Sequence, residues 1–325
     1  MALQSSGPIS VSDVKTELGI DGIEHDIGMK AMENGTVDTI NTNSSNRPNG
    51  SAPHSLSEWY SYNHTATPPY SNDYYYTNDG VNDYIKGTWS NYTTLHNVDW
   101  SVSFWVRQNQ STGASQQLWD WNANSTLNSG NSNNRVFLQY NNSLNRFVVR
   151  LRTNSTNFDR QWGLHDNNGA TGTGTNASVK WTSSNRGNVN SDGFCHIAIT
   201  FDGSQSNATN AFKIYWNGSE LTTQAVANSG TKTSATFASL SIGAAQHNTT
   251  SGNSNVDIDE WAFYKDILTS SEVSTLYNSG TIVSPHTLLT NNLHEVVQFG
   301  ASNSINTYNS NYSGTISGGS TNTYA

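Results

Sequence analysis

The feature that most constrains the fold is the stretch from residue 256 to residue 280, which reads VDIDEWAFYKDILTSSEVSTLYNSG. Its first residues alternate in polarity, because the apolar Val256 and Ile258 are each followed by an aspartate, Asp257 and Asp259. Successive side chains point to opposite faces of a β-strand, so this alternation predicts a strand with one buried face.

A short helix is predicted to follow this strand. Thr269 stands three residues before Glu272, which is the spacing of a capping box at a helix start. Gly280 occupies the position of a glycine that ends a helix. The predicted buried face of this helix consists of Val273, Leu276 and Tyr277.

From about residue 74 onward the pattern is that of an all-β domain. Alternating apolar residues predict strands over residues 98–106, 136–140, 147–151, 195–201, 212–216 and 237–242. Asn217-Gly218 follows one of these strands and is typical of a type I′ hairpin turn. Several short strands with almost no helix predict a mainly β fold, a two-sheet antiparallel sandwich.

Composition excludes several classes of protein. Charged residues are only 12% of the 325-residue chain, and asparagine alone outnumbers them. A net charge of -9 argues against nucleic-acid binding, which depends on clustered lysine and arginine. Ten Trp, fifteen Tyr and ten Phe argue against disorder. We predict no membrane span and no signal peptide, and we expect the single cysteine, Cys195, to be buried.

Residues 1–70 are predicted to form a separate N-terminal segment. Ser10 and Asp13 have the spacing of a capped helix start, and Gly19 is the candidate helix end. A second capping pattern joins Ser55 and Glu58. Two short helices bury little area, so we expect the segment to need a partner for full order. The residues predicted to serve assembly are Ile9, Val14, Leu18, Leu56, Trp59 and Tyr60.

The predicted strands resemble, in order, those of concanavalin A-like jelly rolls of the laminin-G-like type. The similar segments are NDGVNDYI (78–85), SVSFWVR (101–107), DGFCHIAITFDG (192–203), FKIYWNGSEL (212–221), LSIGA (240–244) and the closing strand with its Asp-Glu pair. The resemblance implies a jelly roll over residues 71–280 whose first and last strands lie side by side. It also implies a domain that binds ligands more often than it catalyses reactions.

The phrases SSGPISVSDVKTELG and PHSLSEWY resemble the N-terminal segment of tailed-phage structural proteins, cyanophage proteins among them. This chain departs from that pattern by a long insertion between the two pieces. The resemblance implies a virion protein that is assembled in the host cytoplasm, has other virion proteins as partners, and forms a homo-oligomer, with a trimer as the guess.

A structural Ca²⁺ is the first candidate for a site. Asp79, Asp83, Asp257 and Asp259 belong to the predicted opening and closing strands, and carboxylate oxygens suit this ion. The resemblance implies that an aspartate near the opening strand and an acidic residue of the Asp-Glu pair help to bind it. Alternatively, Asp79 lies in a turn, and Asp259 or Glu260 accepts hydrogen bonds from backbone N–H groups.

A glycosidase site is the second candidate, because jelly rolls can carry catalytic acids on one strand. Asp257 and Asp259 share a face of the predicted strand, and Glu260 points the other way. The acid-x-acid-x-x-acid spacing of the jelly-roll glucanases is absent, since its last position is Ala262. We therefore predict no catalytic residues and no enzymatic activity.

Carbohydrate binding through loop aromatics is the third candidate. Residues 108–134 and 153–191 are predicted to be long loops rich in Asn, Ser, Gly and Thr. An indole face can stack on a sugar ring while neighbouring amides bind its hydroxyls. The tryptophans in or beside these loops are Trp119, Trp121, Trp162 and Trp181. Alternatively, they anchor the loops onto the sandwich.

The last segment, residues 281–325, is predicted to add an edge strand or to contact a neighbouring subunit. Taken together, these features predict a phage virion structural protein, tail- or fibre-associated, that displays a carbohydrate-binding jelly roll to a host surface glycan. A capsid decoration protein or structural spacer is the alternative, and a glycoside hydrolase or free lectin is less favoured. Neither nucleic acid nor membrane is an expected partner.

Overall fold

The structure is a computed structural model that describes residues 3–20, 29–33, 35, 37–38, 40–41, 44, 46–64, 73–109, 115–123, 134–141, 146–154, 156–163, 193–221, 224–245 and 253–323. The chain divides into two compact units, residues 1–71 and residues 72–325. Within the described residues, no helix has both the length and the apolar character needed to cross a membrane.

The N-terminal unit contains α1 (Val11–Glu17), α2 (Met29–Glu33) and a 3-10 helix at Leu56–Trp59. The capping box of α1 is confirmed, because Asp13 N–H donates to Ser10 Oγ at 3.2 Å and Ser10 N–H donates to Asp13 Oδ2 at 2.8 Å. Gly19 follows the helix with a φ of 69°, the left-handed conformation that suits a glycine at a helix end.

The second capping box is a wrong prediction. Ser55 Oγ accepts from Ser57 N–H at 3.2 Å, but the Glu58 carboxylate accepts from Asn49 N–H at 3.1 Å instead of from the cap residue. The turn that Ser55 begins is a 3-10 helix of four residues, and Glu58 bonds a neighbouring loop of the same unit.

The N-terminal unit has an apolar core of its own, which is where the predicted assembly residues lie. Its buried members are Val14, Leu18, Met32, Trp59 and Tyr62. Ile9 and Leu56 pack against it while partly buried, and the Tyr60 hydroxyl donates to the Gly7 carbonyl. These apolar side chains therefore stabilise the unit itself.

The second unit has seventeen described strands, and all their pairings are antiparallel. The strands are β1 (Tyr74–Asp79), β2 (Tyr84–Trp89), β3 (Trp100–Gln108), β4 (Gln116–Asn122), β5 (Arg135–Asn141), β6 (Arg146–Thr153), β7 (Thr156–Gly163), β8 (Cys195–Phe201), β9 (Phe212–Trp216), β10 (Ser219–Glu220), β11 (Gln224–Ser229), β12 (Ser239–Ile242), β13 (Asn255–Tyr264), β14 (Leu293–Gly300), β15 (Ser304–Thr307), β16 (Tyr312–Ser317) and β17 (Ser320–Thr323).

The strands form two sheets, which confirms the predicted sandwich. The nine-stranded sheet has the order β10-β9-β8-β3-β13-β1-β17, with β14 paired to β13 and β15 paired to β14. The eight-stranded sheet has the order β11-β7-β6-β5-β4-β12-β2-β16. The hairpin between β9 and β10 turns at Asn217 and Gly218, whose φ values of 48° and 79° fit the predicted type I′ turn.

The opening and closing strands lie side by side, as predicted. β1 pairs with β13, and Tyr76 stands opposite Ile258. The pairing of β13 with β3 shifts register between Asp259 and Ala262, where Glu260 has a φ of 50°. Before this bulge β13 pairs with β1, and after it β13 pairs with β14. The bulge therefore marks the point at which the neighbour along this edge of β13 changes from β1 to β14.

One aromatic-rich core lies between the sheets. Trp121 meets Trp119 and Trp261 edge to face, with ring centroids 5.1 and 5.4 Å apart. Such pairs add stabilisation beyond the burial of their apolar area. Cys195 is buried in the same core, as predicted.

The two long predicted loops are partly wrong, because each contains a strand. β4 lies inside residues 108–134, and β7 lies inside residues 153–191. Much of the remainder of both segments lies outside the described residues.

In its described part, this unit has three short α-helices, α3 (Ala208–Ala211), α4 (Ser270–Tyr277) and α5 (Pro285–Leu288). The capping box of α4 is confirmed, since Glu272 N–H donates to Thr269 Oγ1 at 3.2 Å and Thr269 N–H donates to Glu272 Oε2 at 2.8 Å. The helix ends at Asn278, which has a φ of 45°, two residues before the predicted Gly280. Its buried side chains pack in one cluster with residues of β13 on the outer face of the nine-stranded sheet.

The C-terminal residues are part of the sandwich. β14, β15 and β17 join the nine-stranded sheet, whereas β16 pairs with β2 in the eight-stranded sheet. The segment predicted as an edge strand or a subunit contact thus adds strands to both sheets.

Candidate functional site

The tryptophans predicted to bind sugars lie in the core, so this prediction is wrong for the three described ones. Trp119, Trp121 and Trp162 are 0% exposed, which leaves no indole face for a ligand. The alternative role, anchoring segments onto the sandwich, fits their position. Trp181 lies outside the described residues.

Two of the four predicted calcium ligands share one turn at the end of β1. Asp83 Oδ2 accepts from Asp79 N–H at 2.9 Å, and Asp79 Oδ1 accepts from Val81 N–H at 2.7 Å. Burial raises the pKa of Asp83, while the hydrogen bond from Asp79 N–H acts in the opposite direction. These bonds correspond to the predicted alternative, in which the aspartates shape a turn.

The other two predicted ligands have separate partners. Asp257 Oδ2 accepts from Arg107 Nε at 2.6 Å, and Asp257 Oδ1 accepts from Asn109 Nδ2 at 2.6 Å. Asp259 is buried, and its Oδ1 accepts from Glu260 N–H at 2.8 Å. Among the described residues no three or more His, Cys, Asp or Glu side chains group in a way that could hold a metal ion. The four aspartates are therefore not assembled into the predicted site.

Glu260 is a buried carboxyl group at the bulge of β13. Gln298 Nε2 donates to its two oxygens at 3.4 and 3.2 Å and to Ser284 Oγ at 2.6 Å. Burial raises the pKa of Glu260 to about 8, against the lowering effect of the bonds from Gln298 and Ser284. Between about pH 4.5 and about pH 8 this carboxyl is therefore mostly neutral, whereas an exposed glutamate is charged.

The eight-stranded sheet has a polar outer face that sequence analysis did not single out. Apolar residues of β5 and β6 point into the core, so the residues between them point outward. Strand pairing joins one outward residue from each of the eight strands into a row. In strand order, the row is Thr315, Lys86, Ser241, Asp120, Phe137, Arg150, Asp159 and Asn228. We call this row and the outward residues that flank it the polar face.

Charged hydrogen bonds tie the polar face together. Arg135 Nε and Nη2 donate to Oδ1 and Oδ2 of Asp120 at 3.2 and 2.7 Å. Asp159 accepts from Asn228 Nδ2 at 2.9 Å and from Arg150 Nη2 at 3.5 Å. Bonds of this kind fix the directions of the donor groups before any ligand arrives.

Exposure differs along the polar face. Lys86 and Asp120 are 0% exposed, and burial lowers the pKa of Lys86 to about 8, against the opposing charge of Asp120. The Arg150 side chain is 26% exposed, and Gln139 and Gln161 are half-buried. The accessible part of the face therefore lies over β5, β6 and β7.

Comparison with known families adds to this geometry. The family model described as the concanavalin A-like lectin/glucanases superfamily matches residues 79–274, which is more than half of the chain. The chain belongs to this superfamily. The match begins at the end of β1 and ends inside α4, so it spans most of the concanavalin A-like jelly roll and leaves out the N-terminal unit and β14–β17. No curated protein matches the chain.

Solved structures with a similar fold are distant in sequence. A protein of Bacteroides ovatus described as carbohydrate-binding matches with a TM-score of 0.47 and 12% identity, over 79% of this chain and 61% of its own. A heptameric SAP-like pentraxin of Limulus polyphemus matches with a TM-score of 0.42 and 14% identity, over 76% and 96%. The CBM40 of a Ruminococcus gnavus IT-sialidase, bound to alpha2,3 sialyllactose, matches with a TM-score of 0.37 and 14% identity, over 55% and 83%.

Proposed function

We propose that this protein binds carbohydrate through the polar face of its eight-stranded sheet. The observation that carries the proposal is the row of mostly polar side chains, one from each of the eight strands, on the side opposite the core; its accessible members are Thr315, Arg150 and Asn228. Sugars present closely spaced hydroxyls, each of which can donate and accept, so a rigid surface with fixed amide, carboxylate and guanidinium groups suits them. Membership of a superfamily described by its lectins and glucanases supports the same role.

Binding without catalysis fits the acidic residues best. Asp257 is bonded to Arg107 and Asn109, and the carboxyl groups of Asp259 and Glu260 are buried. A glycosidase needs two carboxyl groups on either side of a sugar that reaches both. Because these three carboxyl groups are either hydrogen-bonded to protein groups or buried, they support a binding domain with no enzymatic activity.

The same proposal places the protein on a phage particle, tail- or fibre-associated. The compact N-terminal unit, whose sequence resembles virion structural proteins, would attach the chain to other virion proteins after assembly in the host cytoplasm. Many copies, in trimers or another homo-oligomer, would turn weak binding of a host surface glycan into strong attachment. A capsid decoration or spacer protein is the second candidate, favoured by the same separate unit.

The sugar-binding claim is tested with the full-length protein on an array of neutral and acidic glycans. We expect binding that weakens in Gln139→Ala, which alters the accessible part of the polar face, and stays unchanged in Gln205→Ala. Gln205 bonds Asp202 beyond the end of β8 and serves as a matched control. An array without signal, or equal losses in both variants, would contradict the proposal.

The particle claim has its own test. Phage produced with a chain that lacks residues 1–71 should carry none of the truncated protein, while the full-length chain is incorporated. Incorporation of the truncated chain would refute attachment through the N-terminal unit.

A further inference from the structure

The polar face carries a concentration of positive charge. Four of the eight arginines in the chain point outward from the neighbouring strands β5 and β6. They are Arg135, Arg146, Arg150 and Arg152. Among the described residues of this face, Lys86 brings the cations to five against two carboxylates, those of Asp120 and Asp159, so these residues carry a charge of +3 in a chain whose net charge is -9.

The arginines are crowded against one another. Arg135 stands directly opposite Arg152 in the pairing of β5 with β6. The guanidinium carbons of Arg135 and Arg150 lie 4.1 and 5.7 Å from the ring centroid of Phe137. Like charges held opposite each other on a sheet repel, so an anion bound between them would relieve this repulsion.

The two carboxylates leave part of this charge uncompensated. Asp120 accepts two hydrogen bonds from Arg135, while Asp159 accepts from Arg150 and Gln161 at Oδ2 and from Asn228 at Oδ1. In the part of the chain that the structure describes, Arg152 has no salt bridge, and the buried Nε atoms of Arg150 and Arg152 have no hydrogen-bond partner. Buried N–H donors without acceptors are unfavourable, so the described residues leave these two arginines incompletely hydrogen-bonded.

We infer that the ligand of the polar face is an acidic saccharide, whose carboxylate or sulfate groups are bound by Arg150 and Arg152. This inference rests on the proposed carbohydrate-binding function and adds the chemical class of the ligand. Guanidinium groups present planar pairs of donors that match the oxygens of such anions. Gln139, half-buried on β5 beside β6, places an amide group where the hydroxyls of the same saccharide can bond.

The experiment is affinity electrophoresis of the full-length protein in gels that contain one polysaccharide each. Polygalacturonate is compared with its fully methyl-esterified form, and dextran sulfate with dextran, so that each pair shares one sugar backbone with and without charge. We expect retardation by polygalacturonate, dextran sulfate or both, and much weaker retardation by the neutral partner. The two charged polymers separate carboxylate from sulfate recognition. Added salt should weaken the retardation, because screening reduces attraction between exposed charges.

Variants then locate the anion. Arg152→Gln removes a cation without stranding a carboxylate, so the variant should keep the melting temperature of the wild type. Its affinity for the acidic polymer should fall about tenfold, the effect of losing one charge-assisted contact. Arg47→Gln, which removes an exposed arginine of the N-terminal unit, should retain full affinity. Arg150→Gln provides a second test at a neighbouring position.

The set of results distinguishes failure of this inference alone from failure of the proposed function as well. Equal binding of charged and neutral polymers would overturn the acidic-ligand inference and leave carbohydrate binding standing. Absence of binding to every polymer would overturn both. Acid-specific binding that survives in both Arg150→Gln and Arg152→Gln would place the anion elsewhere and refute the inference. Equally strong binding of single-stranded DNA would identify a general polyanion surface and refute the saccharide assignment.

Discussion

His196 should make the jelly roll lose stability in acid. It lies in β8 opposite Trp105, is buried, and its Nε2 lies 2.8 Å from Ser103 Oγ. The ring packs beside the stacked pair Trp105 and Tyr277, with its centroid 5.2 and 6.2 Å from theirs. Within the described part of the chain, Nδ1 has no hydrogen-bond partner. A proton on this ring would therefore add a buried charge with no carboxylate to compensate it.

The size of the effect follows from the pKa. Burial lowers the pKa of His196 from 6.5 to about 3. Between these two values the unfolded chain holds a proton that the folded chain does not, so the free energy of unfolding falls as the pH falls from 6.5 toward 3. At about pH 5, roughly 1.5 units below the unfolded pKa, the loss amounts to about 2 kcal/mol.

The assay is urea unfolding of the wild type and of His196→Gln at about pH 7 and about pH 5, the interval over which the linkage acts. Of the ten tryptophans only Trp59 precedes residue 72, so intrinsic fluorescence reports mainly on the jelly roll. The variant loses the packing of the ring at both pH values, so this loss cancels when the two pH values are compared. The difference between wild type and variant in how the free energy of unfolding changes with pH therefore reports only the protonation of His196. Wild type should lose about 2 kcal/mol more than the variant on acidification. Equal losses would refute the argument that the folded state excludes the proton.

The remaining predictions concern other buried groups and the calcium ion. Glu260 should show the opposite pH dependence to His196. The pKa of Glu260 rises from 4.5 to about 8 on folding, so the free energy of unfolding of the wild type should fall as the pH rises from about 5 to about 7, by about 3 kcal/mol more than that of Glu260→Gln in the same urea assay. Trp121→Ala should lower the free energy of unfolding by about 4 kcal/mol, and glycan binding by the folded fraction should persist; lost binding with unchanged stability would restore the aromatic-site hypothesis. A structural Ca²⁺ would raise the midpoint of a thermal melt in CaCl2 over that in EGTA, and equal midpoints would contradict the calcium prediction.

Local patterns in the sequence predicted local structure well. The capping boxes at Ser10 and Thr269 depend only on residues three positions apart, and both form. The pattern at Ser55 fails because Glu58 finds a donor outside its own turn, at Asn49. Strand alternation likewise predicted the sandwich, and the resemblance to laminin-G-like jelly rolls predicted the adjacency of β1 and β13.

The polar face depends on which strands pair and in which register, and the sequence patterns did not predict these pairings. Trp119 and Trp121 alternate with Asp120 as strand residues do, but the surrounding asparagines and serines led to the prediction of a loop. Asp257 was expected to bind a metal, but the register of β13 with β3 places it beside Arg107. The arginines of β5 and β6 became informative only when the strand pairing brought them together.

The central claim, that the polar face is the ligand-binding surface, is tested most directly by footprinting its arginines. The full-length protein is treated with an arginine-specific dicarbonyl, with and without the best-bound saccharide, and modification is read by mass spectrometry. Bound saccharide should protect Arg150 and Arg152 and leave exposed Arg47 as reactive as before. Saturating saccharide that leaves Arg150 and Arg152 fully reactive would show that ligand binds elsewhere and would contradict the account.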